Sequence, residues 1–432
     1  MSTQKSPPPF TPSNGYSWFV LIVLLLAYIL NFVDRQVLSL VAEDVKADMG
    51  LTDSQLGWLL GPAFVLFYTL AGLPLARLAD RTSRKNVVAV GLAVWSGMTA
   101  LCGAAMNFPQ LLLARFGVGI GEAAGTPPSH SLISDYFPPE RRATALGIYG
   151  WGIFFGTGFG FALGGILLET FSWRAAFYIA GAAGIPVALV LGLTVREPPP
   201  GISDGAVETD TPAMGEVVRT LFARASFPML MVAASCQAFL GYTVLTWGAT
   251  FLRRCLELSG KDAGIQFGLA AAISGAIGVT LGGLLADRLS RRDPRWYTWL
   301  SAAGSLLALP FALGFAWAET SFWAIAFFCP FYLLNNIYVS SLWTLVQNLV
   351  TPRMRSMAAA TQLTVLNIVG LGAGPLVAGY VSEVLEPQYG NDGLRVALTI
   401  AAVVGSIAAI FFLLAGRTLR EDLERVQTTG NG

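Results

Sequence analysis

Apolar and polar positions along this chain alternate in blocks rather than residue by residue. Runs of mainly apolar residues begin near Trp18, Ser54, Asn86, Phe108, Arg142, Arg174, Phe227, Asp262, Trp296, Ser321, Met354 and Leu394. Each is close to the ~20 residues that a helix needs to cross a bilayer. The polar breaks between them are short except for Arg196 to Ser226, which is rich in Pro, Gly and acidic residues and reads as a linker. The pattern predicts an all-α polytopic membrane protein of twelve transmembrane helices in two six-helix bundles. The expected divisions are a disordered tail over 1–16, bundles at 17–196 and 227–416, a linker at 197–226 and a second tail at 417–432. Composition agrees, with 54% hydrophobic and 12% charged residues and a mean hydropathy of +0.60, outside the range of soluble globular chains.

Charge adds orientation. Lys and Arg gather in alternate loops: Arg81, Arg84 and Lys85; Arg141 and Arg142; Arg219 and Arg224; Arg288, Arg291, Arg292 and Arg295; Arg353 and Arg355; Arg417 and Arg420. Short basic loops stay in the cytosol, so both termini are expected there. The intervening loops, read as EDVKAD and EVLEPQYGND, are acidic or nearly uncharged. A net charge of +1 gives no global field for nucleic acid. The four cysteines lie in or beside apolar runs without a CxxC pair, and read as packing residues. No Ser/His/Asp, metal-ligand or phosphate-loop spacing occurs, so neither an enzyme, a metal site nor a cofactor is expected.

The halves also repeat each other, the mark of carriers whose bundles rock about a midplane site. ARLADRTSRK (Ala76–Lys85) matches GLLADRLSRR (Gly283–Arg292), each between the second and third helices of its half. The ladders Gly156, Gly160, Gly164 and Gly370, Gly374 put small residues at every fourth position of each fifth helix, which permits close helix approach.

Charges inside the apolar runs carry the candidate chemistry. The first helix contains NFVDRQ, with Asp34 and Arg35 side by side, and the fourth reads ARFGVGIGEAAGTPPSHS, with Arg115 and Glu122. An ionised group at the bilayer centre costs about 2.5–3.5 kcal/mol even on the lenient scale, so these side chains must face protein or water. If the first helix instead ended at Val33, the pair would sit at the headgroups, but the sixteen residues from Trp18 to Val33 are few for a core of ~30 Å. Aligning the repeats sets Gly241, Val244 and Leu245 opposite Asn31, Asp34 and Arg35, and Asn336 opposite Glu122. The charged network is thus confined to the first half. The second offers an uncharged wall of Gln237, Tyr242, Trp247, Asn335, Asn336, Tyr338, Gln362 and Asn367. One charged and one aromatic wall suit an amphipathic substrate, its anionic head on Arg35. His130, the single histidine, is read either as a proton relay or as a satisfied polar residue, and Pro127 with Pro128 is expected to bend the fourth helix.

The two ADR motifs resemble the signature G-x-L-A-D-R-x-G-R-K of the major facilitator superfamily, with Ala76, Ser83 and Ser290 in place of glycines. The resemblance implies that Asp80, Arg81, Arg84, Asp287, Arg288 and Arg291 latch the halves while the cavity faces outward; otherwise their basic residues serve topology alone. Arg115, Gly119 and Gly121 resemble that superfamily's fourth-helix pattern, while Phe161 replaces the usual proline of the fifth. NFVDRQVL together with RFGVGIGEAAGTPPSHSLISDYFPPERRATALGIY resembles the spinster family, linked to sphingosine phosphates and lysophospholipids. What this implies is a bacterial inner-membrane carrier, working as a monomer amid membrane lipids, that moves a lipid-like anion or zwitterion with protons. Asp34, Arg35, Glu122, Arg115 and Asn31 would be its coupling and binding residues. The alternatives are a carrier of a small organic anion or drug, and a receptor or scramblase without coupled movement.

Overall fold

The computed structural model describes residues 13–199, 202, 214–351 and 354–430. Most of the expected linker, the first twelve residues and the last two, and Arg353, lie outside the described residues. α1 (Asn14–Met49) is one 36-residue helix, started by the Ser13 side chain accepting from the Tyr16 amide and ended at Gly50, whose φ of 64° suits glycine. It does not stop at Val33, and EDVKAD forms its last turns rather than a loop. The second span breaks at Gly61–Pro62 into α2 (Asp53–Leu60) and α3 (Pro62–Arg81), followed by α4 (Arg84–Ala104). The fourth breaks at Ala124–Gly125, just ahead of Pro127 and Pro128, into α5 (Phe108–Ala123) and α6 (Thr126–Tyr136); prolines there have no N–H to continue the ladder. α7 (Pro139–Gly150) with α8 (Gly152–Thr170), then α9 (Trp173–Thr194), complete the first bundle.

A short amphipathic helix, α10 (Met214–Phe222), leads into the second bundle: α11 (Ser226–Arg254), α12 (Gly260–Ser290), α13 (Trp296–Ala316) and α14 (Ser321–Asn348). Its eleventh span joins α15 (Arg355–Leu366) through a π-helical stretch, Asn367–Ala373, to α16 (Gly374–Tyr389), and α17 (Gly393–Gly430) is the twelfth. Ten continuous helical stretches among the described residues are long and apolar enough to cross a membrane. The fourth span is absent from that count because its two pieces are short, and the eleventh and twelfth run on as one. α17 continues past the expected boundary at 416. Asp422, 1% exposed, accepts 2.8 Å from the Ser226 amide and 2.7 Å from its hydroxyl, placing a carboxylate at the start of α11 where the helix dipole favours it.

Glycines set how the bundles pack. A Cβ at Gly160 would lie 2.8 Å from the Cβ of Gln36, and one at Gly156 only 2.5 Å from the Ile29 carbonyl oxygen. The first ladder therefore seats α8 directly on α1 at the level of Asp34. Across the halves, a Cβ at Gly264 would run into the Phe161 carbonyl, and one at Gly61 would meet the Gly372 carbonyl at 2.6 Å.

The two ends of the molecule differ. At the end away from the termini, Arg254 of α11 reaches Glu43 at 2.6 Å and Asp53 at 2.6 and 2.8 Å. Arg253 pairs with Asp44 at 2.6 Å, Ser382 donates to Asp53 at 2.7 Å, and the Ser54 amide donates to Glu383 at 2.8 Å. These contacts clamp the first bundle to the second. At the end that carries the termini, the repeated motifs are engaged within their own halves or exposed. Arg84, 3% exposed, pairs with Asp135 at 2.5 Å and Glu197 at 2.8 Å, whereas Asp80, Arg81, Arg288 and Arg291 are exposed and exposed Asp287 accepts from the Tyr297 hydroxyl at 3.3 Å. The far end of the seam between the bundles is thus the clamped one.

Candidate functional site

The charged residues of the first helix separate because neighbours on a helix project about 100° apart. Arg35 turns toward α5, and its Nε and Nη2 both lie 2.7 Å from Glu122 Oε2. Asp34 turns toward α4, where its Oδ2 accepts from Thr99 Oγ1 at 3.2 Å. The adjacent pair in the sequence is thus not an ion pair in the fold; Arg35 with Glu122 is. Glu122 is fully buried and the Arg35 side chain is 17% exposed, so the pair is open to the central space only from the arginine side. Among protein atoms, Glu122 Oε1 and Asp34 Oδ1 have no hydrogen-bond partner.

Aromatic rings frame the guanidinium. The Arg35 Cζ stands 4.9 Å from the Phe32 ring centre, 4.6 Å from Phe64 and 5.4 Å from Tyr68, a cation–π cage that offsets part of the cost of burying a cation. Tyr242 faces Arg35 from the second half, and Asn31 lies beside the Glu122 carboxyl. Arg115 is not brought onto Glu122. It donates through Nε to the Leu59 carbonyl at 3.4 Å, one of the last carbonyls of α2, which a helix end leaves without an internal partner, and its Cζ lies 5.6 Å from the Phe64 ring.

The second-half residues divide. Tyr242, Asn336 and Asn367 are half-buried; Asn336 donates to the Tyr332 carbonyl at 2.7 Å, and Asn367 opens the π-helical stretch. Asn335 covers Gly241, where a Cβ would sit 2.7 Å from its Nδ2, and Gln362 is fully buried. Gln237, Trp247 and Tyr338 turn away from the central space. Gln237 donates to Ser305 at 2.7 Å, Trp247 Nε1 to the Pro375 carbonyl at 3.0 Å, and Tyr338 packs 6.2 Å from Phe412. Their reason is local: each has a partner on a neighbouring helix of its own bundle. His130 is exposed at the terminus-bearing side, its ring 5.3 Å from Tyr149. Sequence reading missed the cage of Phe32, Phe64 and Tyr68, although Phe32 and Arg35 at i and i+3 were a visible signal. It also missed the clamp at the far end, whose partners come from four separate spans.

Comparison with known proteins narrows the family. The family model described as Major Facilitator Superfamily matches residues 24–373. An MFS-type efflux pump of Mycolicibacterium smegmatis is 32% identical over 94% of this chain and 94% of its own. Human protein spinster homolog 1 is 29% identical, covering 96% of this chain and 83% of its own. A crystal structure of a bacterial homologue of the human lysosomal transporter spinster, inward-facing and unoccupied, superposes with a TM-score of 0.87 at 33% identity, over 95% of this chain and 99% of that one. A D-xylose–proton symporter at 16% identity and a TM-score of 0.75 shares the fold alone. On these grounds the chain belongs to the Major Facilitator Superfamily and is homologous to the spinster proteins.

Proposed function

We propose that this protein is a proton-linked secondary carrier that moves a lysophospholipid- or sphingosine-phosphate-like anion or zwitterion by alternating access. In this reading it acts as a monomer in a bacterial inner membrane, with both termini in the cytosol and the cavity open to that side. The observation that carries the proposal is the Arg35–Glu122 pair: an arginine reachable from the central space, held by a fully buried carboxyl. A phosphate or carboxylate head can take the guanidinium from Glu122 because its oxygens accept charge-assisted hydrogen bonds from the same N–H groups. The aromatic cage and the uncharged second half then receive the chain.

Proton coupling follows from the same exchange. Both Arg35 nitrogens rest on Oε2, so a proton on Oε1 does not displace them, and a protonated Glu122 holds the guanidinium less strongly. Substrate and proton thereby compete for one arginine, and each changes the affinity for the other by the same factor. Asp34 and Arg115 set the surrounding field. When the cavity faces outward, the exposed Asp80, Arg81, Arg288 and Arg291, with Arg84 and Asp287, would latch the cytosolic ends, and the Arg254 clamp would open.

The second reading is a carrier of a small organic anion or drug on the same residues, favoured by the likeness to a mycobacterial efflux pump. Competition by a ligand series of fixed headgroup and increasing acyl length separates them. Affinity that climbs with length supports the lipid, and indifference to length supports the small anion. Movement that ignores a pH gradient would place the protein with scramblases, and binding without movement with receptors.

A further inference from the structure

Directly on the terminus side of Glu122, the break between α5 and α6 borders a small, partly open pocket with about 10 Å³ for the centre of a water molecule. Its polar lining is Tyr28, Asn31, Trp95, Thr126, Ser129 and Tyr149. Two of these groups are orphans of opposite kind: Trp95 Nε1, a donor, and Asn31 Oδ1, an acceptor, have no partner among protein atoms, although Trp95 is 1% and Asn31 4% exposed. A buried donor or acceptor left unpaired costs about 1–3 kcal/mol. A water in the pocket that both residues line would answer both by accepting from the indole and donating to the amide, and ~10–15 Å³ of such space with two or more polar partners is what a buried water needs.

The surroundings lead onward in both directions. Toward the site, Asn31 lies beside the Glu122 carboxyl. Toward the terminus-bearing end, Tyr28 neighbours Thr126, and Tyr149 neighbours both Thr126 and Ser129. Tyr28 stacks on Tyr149 with ring centres 4.4 Å apart, and Tyr149 meets the exposed His130 at 5.3 Å. Ser129 donates to the Gly125 carbonyl at 2.8 Å, and its oxygen stands within reach of the Tyr149 hydroxyl. The charged and titratable groups around Glu122 are otherwise Arg35 and Asp34 on α1, Arg115 on α5, Tyr68 on α3, and the Cys102 thiol of α4 beside Arg115 and Asp34. None of them continues toward the termini as this hydroxyl cluster does.

We propose that this cavity is a water site, held by Trp95 and Asn31, through which the Glu122 proton exchanges with the cytosol by way of Thr126, Ser129, Tyr149 and His130. A proton released from the carboxyl passes to the water as the water yields one to a hydroxyl, and each hydroxyl in turn yields its own, so that the relay groups end neutral and the negative charge stays on the Glu122 carboxylate, against Arg35. Asn31 and Trp95 are positioning residues that fix the water. The inference rests on the proton-linked reading above.

Two measurements on the full chain in nanodiscs test it. The first is a density map that resolves ordered water. The second is the rate at which the infrared carboxyl band of Glu122, assigned by its loss in Glu122→Gln, responds to a jump in pH. Water within hydrogen-bond reach of Trp95 and Asn31, together with a response slowed about tenfold or more in Thr126→Val, is expected. The pH midpoint should stay in place, which a merely structural role for Thr126 would not guarantee. Tyr149→Phe removes a single oxygen and serves if the valine variant does not fold. A dry cavity, or wild-type rates in both variants while Glu122 still titrates, overturns the route alone. A Glu122 band that never responds to pH overturns the proton-linked reading and the route with it.

Discussion

The two bundles share six-helix topology, a repeated motif and a glycine ladder, yet among the described residues only the first carries Asp, Glu, Lys or Arg near the middle of its spans. Where α1 has Asn31, Asp34 and Arg35, α11 has Gly241, Val244 and Leu245. Where α5 has Glu122, α14 has Asn336, bonded to its own helix at Tyr332. The duplication explains the scaffold and the difference explains the site: a fold that repeats needs only one half to hold charge. Each further charge buried in the second half would add several kcal/mol of desolvation.

That comparison can be broken in graded ways. The largest effect is expected at the clamp that lets the halves move as units. Arg254→Ala takes the bidentate partner from Asp53, 1% exposed, and the guanidinium from Glu43; stripping one member from a buried pair costs about 3–5 kcal/mol, with Lys46, 2.8 Å from Asp53, holding the loss to the lower end. Distances between spin labels at Met106 and Glu386, both exposed and outside the clamp, should shift to an open population; an unchanged distribution would show that the clamp does not hold the far end shut. Next, Arg35→Ala should cost nearly as much, because Glu122 is fully buried. Uptake of headgroup-bearing lipids should fall far more than uptake of neutral analogues, and equal losses would reduce Arg35 to a structural role.

Importing charge into the second half is the converse change. Asn336→Glu should lower thermal stability by about 2.5–3.5 kcal/mol if its position lies at midplane depth, whereas a neutral result would mean that the second wall tolerates charge and that the asymmetry is incidental. The smallest effect belongs to the surface. Asp293, between α12 and α13, is pulled down to about 2 by its bonds from Arg295, aided by Arg420. A depressed carboxyl stabilises the fold above its unfolded value of ~3.9 and loses that contribution as pH falls toward about 2. The melting difference between wild type and Asp293→Asn should therefore be small at neutral pH, within about 0–1 kcal/mol, and vanish in strong acid; a difference that grows on acidification reverses the sign of the argument.

Much of this architecture was legible in the sequence because its signals are one-dimensional. Apolar run length marked the spans, and the ADR repeats marked the halves. Cost argued that charges at Arg35 and Glu122 must meet something polar. What escaped was direction around each helix axis. Asp34 and Arg35 are neighbours in the chain, but a turn of about 100° sends one to Thr99 and the other to Glu122. Gln237, Trp247 and Tyr338 occupy polar or aromatic positions of apolar helices, and nothing local says that Ser305, the Pro375 carbonyl and Phe412 await them on the inner side of their bundle. The clamp escaped for a related reason. The sequence pattern puts Glu43 and Asp44 in a loop, and their value as partners emerges only when α1 runs on to Met49 and brings them to Arg253 and Arg254.

The most direct test of the central claim is uptake of a lysophospholipid into proteoliposomes, with and without an imposed pH gradient, by wild type and Glu122→Gln side by side. Gradient-driven accumulation by wild type, reduced in the variant to equilibration that ignores pH, is the predicted result. Accumulation equally responsive to the gradient in both proteins would contradict the account, because the proton would then be carried somewhere other than the Arg35–Glu122 pair.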